Sequence, residues 1–308
     1  MRSIGLAPIA AAFARIGAAG FVLYCTYSLA VFGLLGAAWL AAAVDEPWRR
    51  VGLFAWARLV REAVSDLLPF SQLGGLVAGA RVIRSGGLAW PRVYASIIVD
   101  LTTEMASQLV FTLVGLALIA SVLLGAGGAA VRPLVLGGTA LMVATISAFL
   151  FGQHAMVRFA TRLATRMLPQ AAAAIGDVEA ELRRAYAHRS RVVTATLLNL
   201  AGWIASAFGA WLLLRLAGLP LPVWAVLALE SLIFTVRSIA FAVPGALGVQ
   251  EAAYVIAGPL VGLPAEAALA LSLGKRAREL ALSLPTLAIW YASGMRDFVR
   301  RGRAARAG

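Results

Sequence analysis

Apolar residues run along this chain in long blocks rather than in narrow stripes. Four blocks, roughly 17–44, 93–123, 131–152 and 192–217, each reach the length of about 20 residues that a bilayer-spanning helix needs. A fifth, 264–295, has the length but carries Lys275, Arg276, Arg278 and Glu279 near its centre. Two further stretches, 51–90 and 222–262, are apolar yet interrupted by proline and glycine, as LLPFSQLGG at 67–75 and FAVPGALGVQEA at 241–252. A break facing lipid leaves backbone N–H and C=O groups unpaired in hydrocarbon, so each break either lies outside the bilayer or lines a cavity within it. The pattern predicts an all-α, polytopic integral membrane protein of five spans, with two re-entrant hairpins of broken helix.

Composition strengthens the membrane reading. Of 308 residues 61% are hydrophobic and 13% charged, with a mean hydropathy of +0.87; a soluble domain has about 25% charged residues. The basic residues are one Lys and 26 Arg, giving a net charge of +13. They cluster in loops and in the tail RDFVRRGRAARAG, as membrane-surface charge does. No segment is polar enough to be a folded nucleic-acid-binding domain, so no nucleic-acid partner is expected. Cys25 stands alone in an apolar run, which excludes a disulfide framework and a cysteine metal site. The opening IGLAPIAAAFARIGAAG is interrupted by Arg15 and does not read as a cleavable signal peptide.

Charge also orders the segments. With both breaks re-entrant, Arg49, Arg50, Arg81, Arg84 and Arg92 fall on one side, together with the loop 153–191 and its seven Arg, and with the C-terminus. The nearly uncharged loops GAGGAAV (125–131) and AGLPLP (217–222) fall on the other. Arginine bias places the charged side in the cytoplasm, and the setting expected is the bacterial inner membrane. Within a single transmembrane domain, 1–308, the order of elements repeats: repeat A (17–123), a linking span (131–152), an amphipathic cytoplasmic segment (153–191), repeat B (192–295) and a basic tail (296–308). The odd linking span inverts the second copy, so the hairpins enter from opposite faces, as in many transporters. Pro69 and Gly74–Gly75 would then face Pro244 to Gly248 across a cavity. The alternative is a pair of kinks in ordinary spans. Segment 153–191 reads either as a surface helix on anionic lipid, followed by a short charged helix around 175–189, or as a solvated linker.

The charged residues within apolar blocks are the candidates for chemistry. Asp100 and Glu104 lie one helical turn apart, about 10 and 16 Å from Val93 at 1.5 Å per residue. Two carboxylates at such depth need a proton or a cation, and either a functional site or a structural ion pair would supply it. In repeat B, Lys275 and Arg276 reach similar depth with opposite sign, and the two sets are expected to face one another. Buried Arg suits phosphate or carboxylate. The second hairpin adds Arg237 before its break, Gly245 and Gly248 within it, and Gln250 and Glu251 after it. A helix starting near Val249 would hold Glu251 in its first turn, where the helix dipole alone could account for it. Around the first break stand Glu62, Asp66, Gln72 and Arg81. His154 and His188 form no metal cluster, and no nucleophile elbow, phosphate loop or cofactor motif is present.

LLPFSQLGG with its following Arg-terminated helix, and VPGALGVQEA followed by SLGKRARELAL, resemble the two signature regions of the lysylphosphatidylglycerol synthase transmembrane (flippase-type) family. The stretch REAVSDLLPFSQLGG is similar to the branch found with hopanoid biosynthesis genes. The likeness covers about 17–295. The family's Gly-Glu pair in the first motif is Gly74–Gly75 here, so no glutamate role transfers there; its Gly-x-x-Glu does match, at Gly248 to Glu251. The aminoacyl-transferase domain of larger members is absent from this sequence. The resemblance implies not an enzyme but a lipid flippase or transporter, for hopanoids or another anionic or isoprenoid-derived lipid, working with the bilayer and with hopanoid enzymes as partners. The alternative is a non-transporting scaffold or accessory subunit for hopanoid-modifying enzymes. Glu62, Asp66, Pro69, Gln72, Gly74, Gly75, Arg81, Asp100, Glu104, Arg237, Pro244, Gly245, Gly248, Gln250, Glu251, Lys275, Arg276, Arg278 and Glu279 form the candidate substrate site.

Overall fold

The apolar blocks fold as helices throughout the residues that the computed structural model describes: 6–67, 71–125, 172–239, 243 and 246–307. Side chains are described within 7–67, 73–120, 176–237, 243 and 246–293. In chain order the helices are α1 (Leu6–Ala42), α2 (Val51–Leu67), α3 (Ser71–Ser85), α4 (Trp90–Gly125), α5 (Ala172–Ala187), α6 (Arg189–Leu216), α7 (Val223–Ile239), α8 (Val249–Ala257) and α9 (Ala265–Ala307). Short 3₁₀ turns at Trp48–Arg50 and Gly258–Val261 connect α1 to α2 and follow α8. The protein is an all-α membrane protein. Among the described residues Ala7–Ala42, Trp90–Ala120 and Arg189–Leu216 are long and apolar enough to cross a bilayer. Their outer faces carry exposed aliphatic side chains such as Val22, Val114 and Leu197, a surface suited to lipid rather than water.

Several boundaries differ from those expected. Helix α1 begins well before residue 17, passing a local irregularity at Gly17 (φ 57°). Helix α9 continues through the basic tail as one helix to Ala307 instead of stopping near 295. The linking span 131–152 and the amphipathic stretch 153–171 lie outside the described residues, while the short charged helix expected around 175–189 is α5.

One end of the bundle collects the basic residues. Arg50 pairs with Glu46 (3.1 Å), Arg184 with Asp45 (2.7 Å) and Arg92 with Glu181 (3.4 Å), and Arg191 donates to the Glu46 carbonyl (2.7 Å). The α1–α2 turn, the α3–α4 turn, α5 and the start of α6 therefore meet there. Helix α6 runs antiparallel to α1 away from this end: Gly202 lies against Leu35, Tyr27 donates to the Ala205 carbonyl (2.8 Å), and Leu216 reaches Gly20. Both ends of the α2–α3 hairpin belong to the basic end, where Arg50 donates to the Gly86 carbonyl (3.4 Å). Both ends of the α7–α8 pair belong to the opposite end, where Trp211 donates to the Leu221 carbonyl (3.2 Å) and Val226, Val261 and Leu263 share an apolar core with α1 and α6.

The first hairpin closes on a glycine contact. The structure corrects the expected break here: Gly74 and Gly75 are not the interruption but lie inside α3, and helix resumes at Ser71. A Cβ on Gly75 would sit 2.5 Å from the Arg61 carbonyl oxygen, and one on Gly79 would sit 2.9 Å from the Trp39 ring and 3.2 Å from the Ala57 carbonyl. Missing side chains let α3 lie directly on the α2 backbone, as small residues do wherever membrane helices approach closely. A second core, around Trp39, Phe54, Val60, Ile83 and Val93, holds this hairpin to α1 and α4.

Candidate functional site

A cavity of about 390 Å³ opens where the two hairpins converge. Its walls come from α1 (Tyr24, Phe32), α2 (Arg58, Arg61, Glu62, Asp66), α4 (Glu104, Gln108), α6 (Trp203), α7 (Phe234, Arg237) and α9 (Lys275, Arg278, Glu279). Ionisable groups this deep in an apolar bundle persist only when paired. They are paired in two sets, one in each half of the chain.

The first set ties α2 to α4. Arg58 grips Glu104 with both terminal nitrogens, Nη2 to Oε1 at 2.5 Å and Nη1 to Oε2 at 3.2 Å. Arg61 donates to Asp100 Oδ2 (3.0 Å) and to Glu104 Oε2 (2.9 Å). Glu62 closes on Arg58 one turn along α2, at 2.9 Å. Residues 58, 61 and 62 share a face by helical spacing, and that face meets the turn of α4 carrying residues 100 and 104.

The second set ties α7 and α8 to α9. Lys275 Nζ donates to Glu230 (2.5 Å) and to the Tyr254 hydroxyl (2.7 Å), and Tyr254 donates to Glu230. Arg237 bridges Glu279 (3.0 Å) and the Gln250 side-chain oxygen (2.8 Å), while Gln250 Nε2 donates to Ser272 (3.2 Å). Arg276 binds Glu279 (2.7 Å) and Glu251 (3.1 Å). Glu251 also accepts from the Gly248 N–H (2.7 Å), so it caps α8 in the first-turn position expected for it. Gly248, at φ 78°, occupies a backbone conformation that other residues adopt only under strain. Arg278 has Glu279 as its nearest carboxylate, at 3.8 Å, and stands over the rings of Tyr24 (6.0 Å) and Phe32 (5.8 Å).

The pairing corrects the expected one. Asp100 and Glu104 are not paired with Lys275 and Arg276, although Glu104 and Lys275 line the same cavity; the acids of α4 are neutralised by α2, and the bases of α9 by α7 and α8. Glu279, on α9 itself, takes Arg237 and Arg276. The hairpins themselves do meet, Asp66 lying 3.6 Å from Arg237.

Of the candidate residues, Glu62, Asp66, Glu104, Arg237, Lys275, Arg278 and Glu279 line the cavity. Asp100, Gln250 and Arg276 stand behind that lining as partners of residues in it, and Glu251 stands one step further back as a partner of Arg276. Gly75 is a helix contact, Gly74 and Arg81 are exposed, and Gly248 starts α8. Pro69, Pro244 and Gly245 lie outside the described residues, as does the side chain of Gln72. Sequence reasoning left out of the site Arg58, Arg61, Glu230 and Tyr254. Glu230 had a signal: it is the lone carboxylate in VWAVLALESLIFTV. Arg58 and Arg61 had one too, as the bases on the helix next to the α4 acids.

Residues 1–285 match the family model described as the lysylphosphatidylglycerol synthase TM region, and the chain belongs to that family. It is thus a multi-pass membrane protein of a lipid-related family. Comparison with curated proteins and with solved structures gave no match.

Proposed function

We propose that this protein moves a lipid across the bacterial inner membrane without altering it chemically, holding the head group in the central cavity while the acyl or isoprenoid tails stay in the bilayer. The observation that carries this reading is the cavity itself. It is lined in part by one helix of each hairpin, lies within the range of ~300–1,000 Å³ typical of small-molecule sites, and presents charged and aromatic side chains inside an apolar bundle. A scaffold would have no use for such a lining.

On this reading α2–α3 and α7–α8 are re-entrant hairpins of two inverted repeats, entering from the basic and the opposite end. The opposed placement of their open ends and the Asp66–Arg237 approach support it. The basic end, with Arg49, Arg50, Arg84, Arg92 and α5, is cytoplasmic by arginine bias, and the C-terminus with it. Its likeness to the hopanoid-associated branch makes a hopanoid one substrate to try, alongside anionic phospholipids suited to the cavity's arginines.

The test is movement in vesicles. Purified protein is reconstituted with fluorescently tagged phosphatidylglycerol, phosphatidylethanolamine or a tagged hopanoid, and tag reaching the outer leaflet is read by quenching with an impermeant reductant. Accelerated exchange of at least one lipid is expected. Rates equal to protein-free vesicles for all three would sink the proposal.

A further inference from the structure

Among the described residues, the ion pairs around the cavity join six cations to seven carboxylates. The numbers do not balance, and geometry picks out the carboxylate in excess. Each of the other six has a cation within 3.1 Å, whereas Asp66 has only Arg237 Nη2, at 3.6 Å. Arg237 is held more closely elsewhere, by Glu279 at 3.0 Å and Gln250 at 2.8 Å. It would keep both contacts if Asp66 became neutral.

The groups around Asp66 are Arg237 from α7, Arg278 and Glu279 from α9, and Glu62 from its own helix. Two carboxylates therefore crowd it, and both of the cations are shared with Glu279. Its side chain is 13% exposed and turned toward the cavity, where water can deliver a proton. Position adds a second reason. Among the described ion pairs, Asp66–Arg237 alone joins the first hairpin to the second; the others on the hairpins close within one half of the chain.

We propose that Asp66 is a proton-binding site, and that lipid movement is coupled to protons through it. The coupling rests on the lipid-moving function proposed above. A proton added to the Asp66 carboxylate neutralises it and removes the ionic link between the hairpins. The pairs inside each half are left intact, so the proton changes only the contact between the two hairpins. Loss of the proton restores the link. The chemistry is one proton bound and one released per opening, with no bond to the lipid.

Two measurements test this. In lipid nanodiscs, infrared difference spectra on acidification should show a protonated-carboxyl band that is lost in Asp66→Asn and shifted in frequency in Asp66→Glu. Absence of that band in the wild type, or its persistence in Asp66→Asn, would overturn the assignment whether or not lipid moves. In vesicles loaded with a pH-sensitive dye, movement of tagged phosphatidylglycerol should be accelerated several-fold by an imposed pH gradient and accompanied by proton flux. Asp66→Asn should remove both the acceleration and the flux, and Asp66→Glu should retain them. Lipid movement indifferent to the gradient and without proton flux would overturn the coupling and leave lipid transport standing. Failure of every tagged lipid to move would overturn lipid transport and the coupling with it.

Discussion

The most deeply buried ties in the two halves of the molecule carry opposite signs, although the second half adds Arg237–Glu279 in the same sense as the first. In the first, the hairpin helix α2 carries the bases (Arg58, Arg61) and the following long helix α4 the acids (Asp100, Glu104). In the second, hairpin helix α7 carries the acid (Glu230) and the following long helix α9 the base (Lys275). The spacing is nearly the same: 46 residues from Arg58 to Glu104 and 45 from Glu230 to Lys275. What the halves share is thus a tie between hairpin and following helix, indifferent to which side bears which charge. They differ in the return helix. Helix α3 packs through Gly75 and Gly79, whereas α8 contributes Gln250, Glu251 and Tyr254 to the polar network. The first hairpin is fastened by close packing; the second by bonds that can be exchanged.

Breaking the first tie should cost most. Glu104→Gln leaves Arg58 and Arg61 short of a buried counter-charge that arginine cannot escape by losing a proton, for a loss of about 3–5 kcal/mol. It should appear as a large fall in the thermal midpoint in detergent. The corresponding Glu230→Gln should cost less, about 2–3 kcal/mol, because a stranded lysine can become neutral and Tyr254 remains as a partner. Equal losses in the two variants would mean that the ties are not distinguished by their bases.

Packing gives the next effect. Gly75→Ala drives a methyl group into the Arg61 carbonyl and should destabilise by about 1–3 kcal/mol, while Gly74→Ala, facing only Val64 at 3.5 Å, serves as its control. If both substitutions were equally harmful, the pair would be acting as a break and not as a contact. Gly248→Ala should be the mildest of the damaging changes, about 1–2 kcal/mol for the positive φ. Its Cβ meets nothing within 4 Å, so the loss is read best as earlier fraying of α8 in hydrogen exchange.

The membrane class and the grouping of Arg49, Arg50, Arg84 and Arg92 with α5 were legible in the sequence, because apolar length and arginine bias are one-dimensional signals. Pairing was not. Depth along a helix placed Glu104 and Lys275 at comparable levels, but depth does not give azimuth, and each found a nearer partner on the hairpin of its own half. Glycine was ambiguous for a related reason: Gly74–Gly75 can break a helix or let one lie on another, and only the neighbour, here the Arg61 carbonyl, decides. Glu230, Arg58 and Arg61 could have been found by requiring every intramembrane charge to have a named counter-charge in the same half.

That closure within halves bears on how the chain enters the membrane. Arg58 and Arg61 meet their acids as soon as α4 has been synthesised, before any of α6 to α9 exists. Glu230 likewise waits only for α9. An insertion machine handling the segments in order need not shelter an unneutralised arginine while the other half is made. Among the described residues the one ionic contact between the two hairpins, Asp66 with Arg237, spans 171 residues and is the loosest of those joining two cavity-lining residues on the hairpins. Assembly would end with the link that, on the mechanism proposed above, a proton opens.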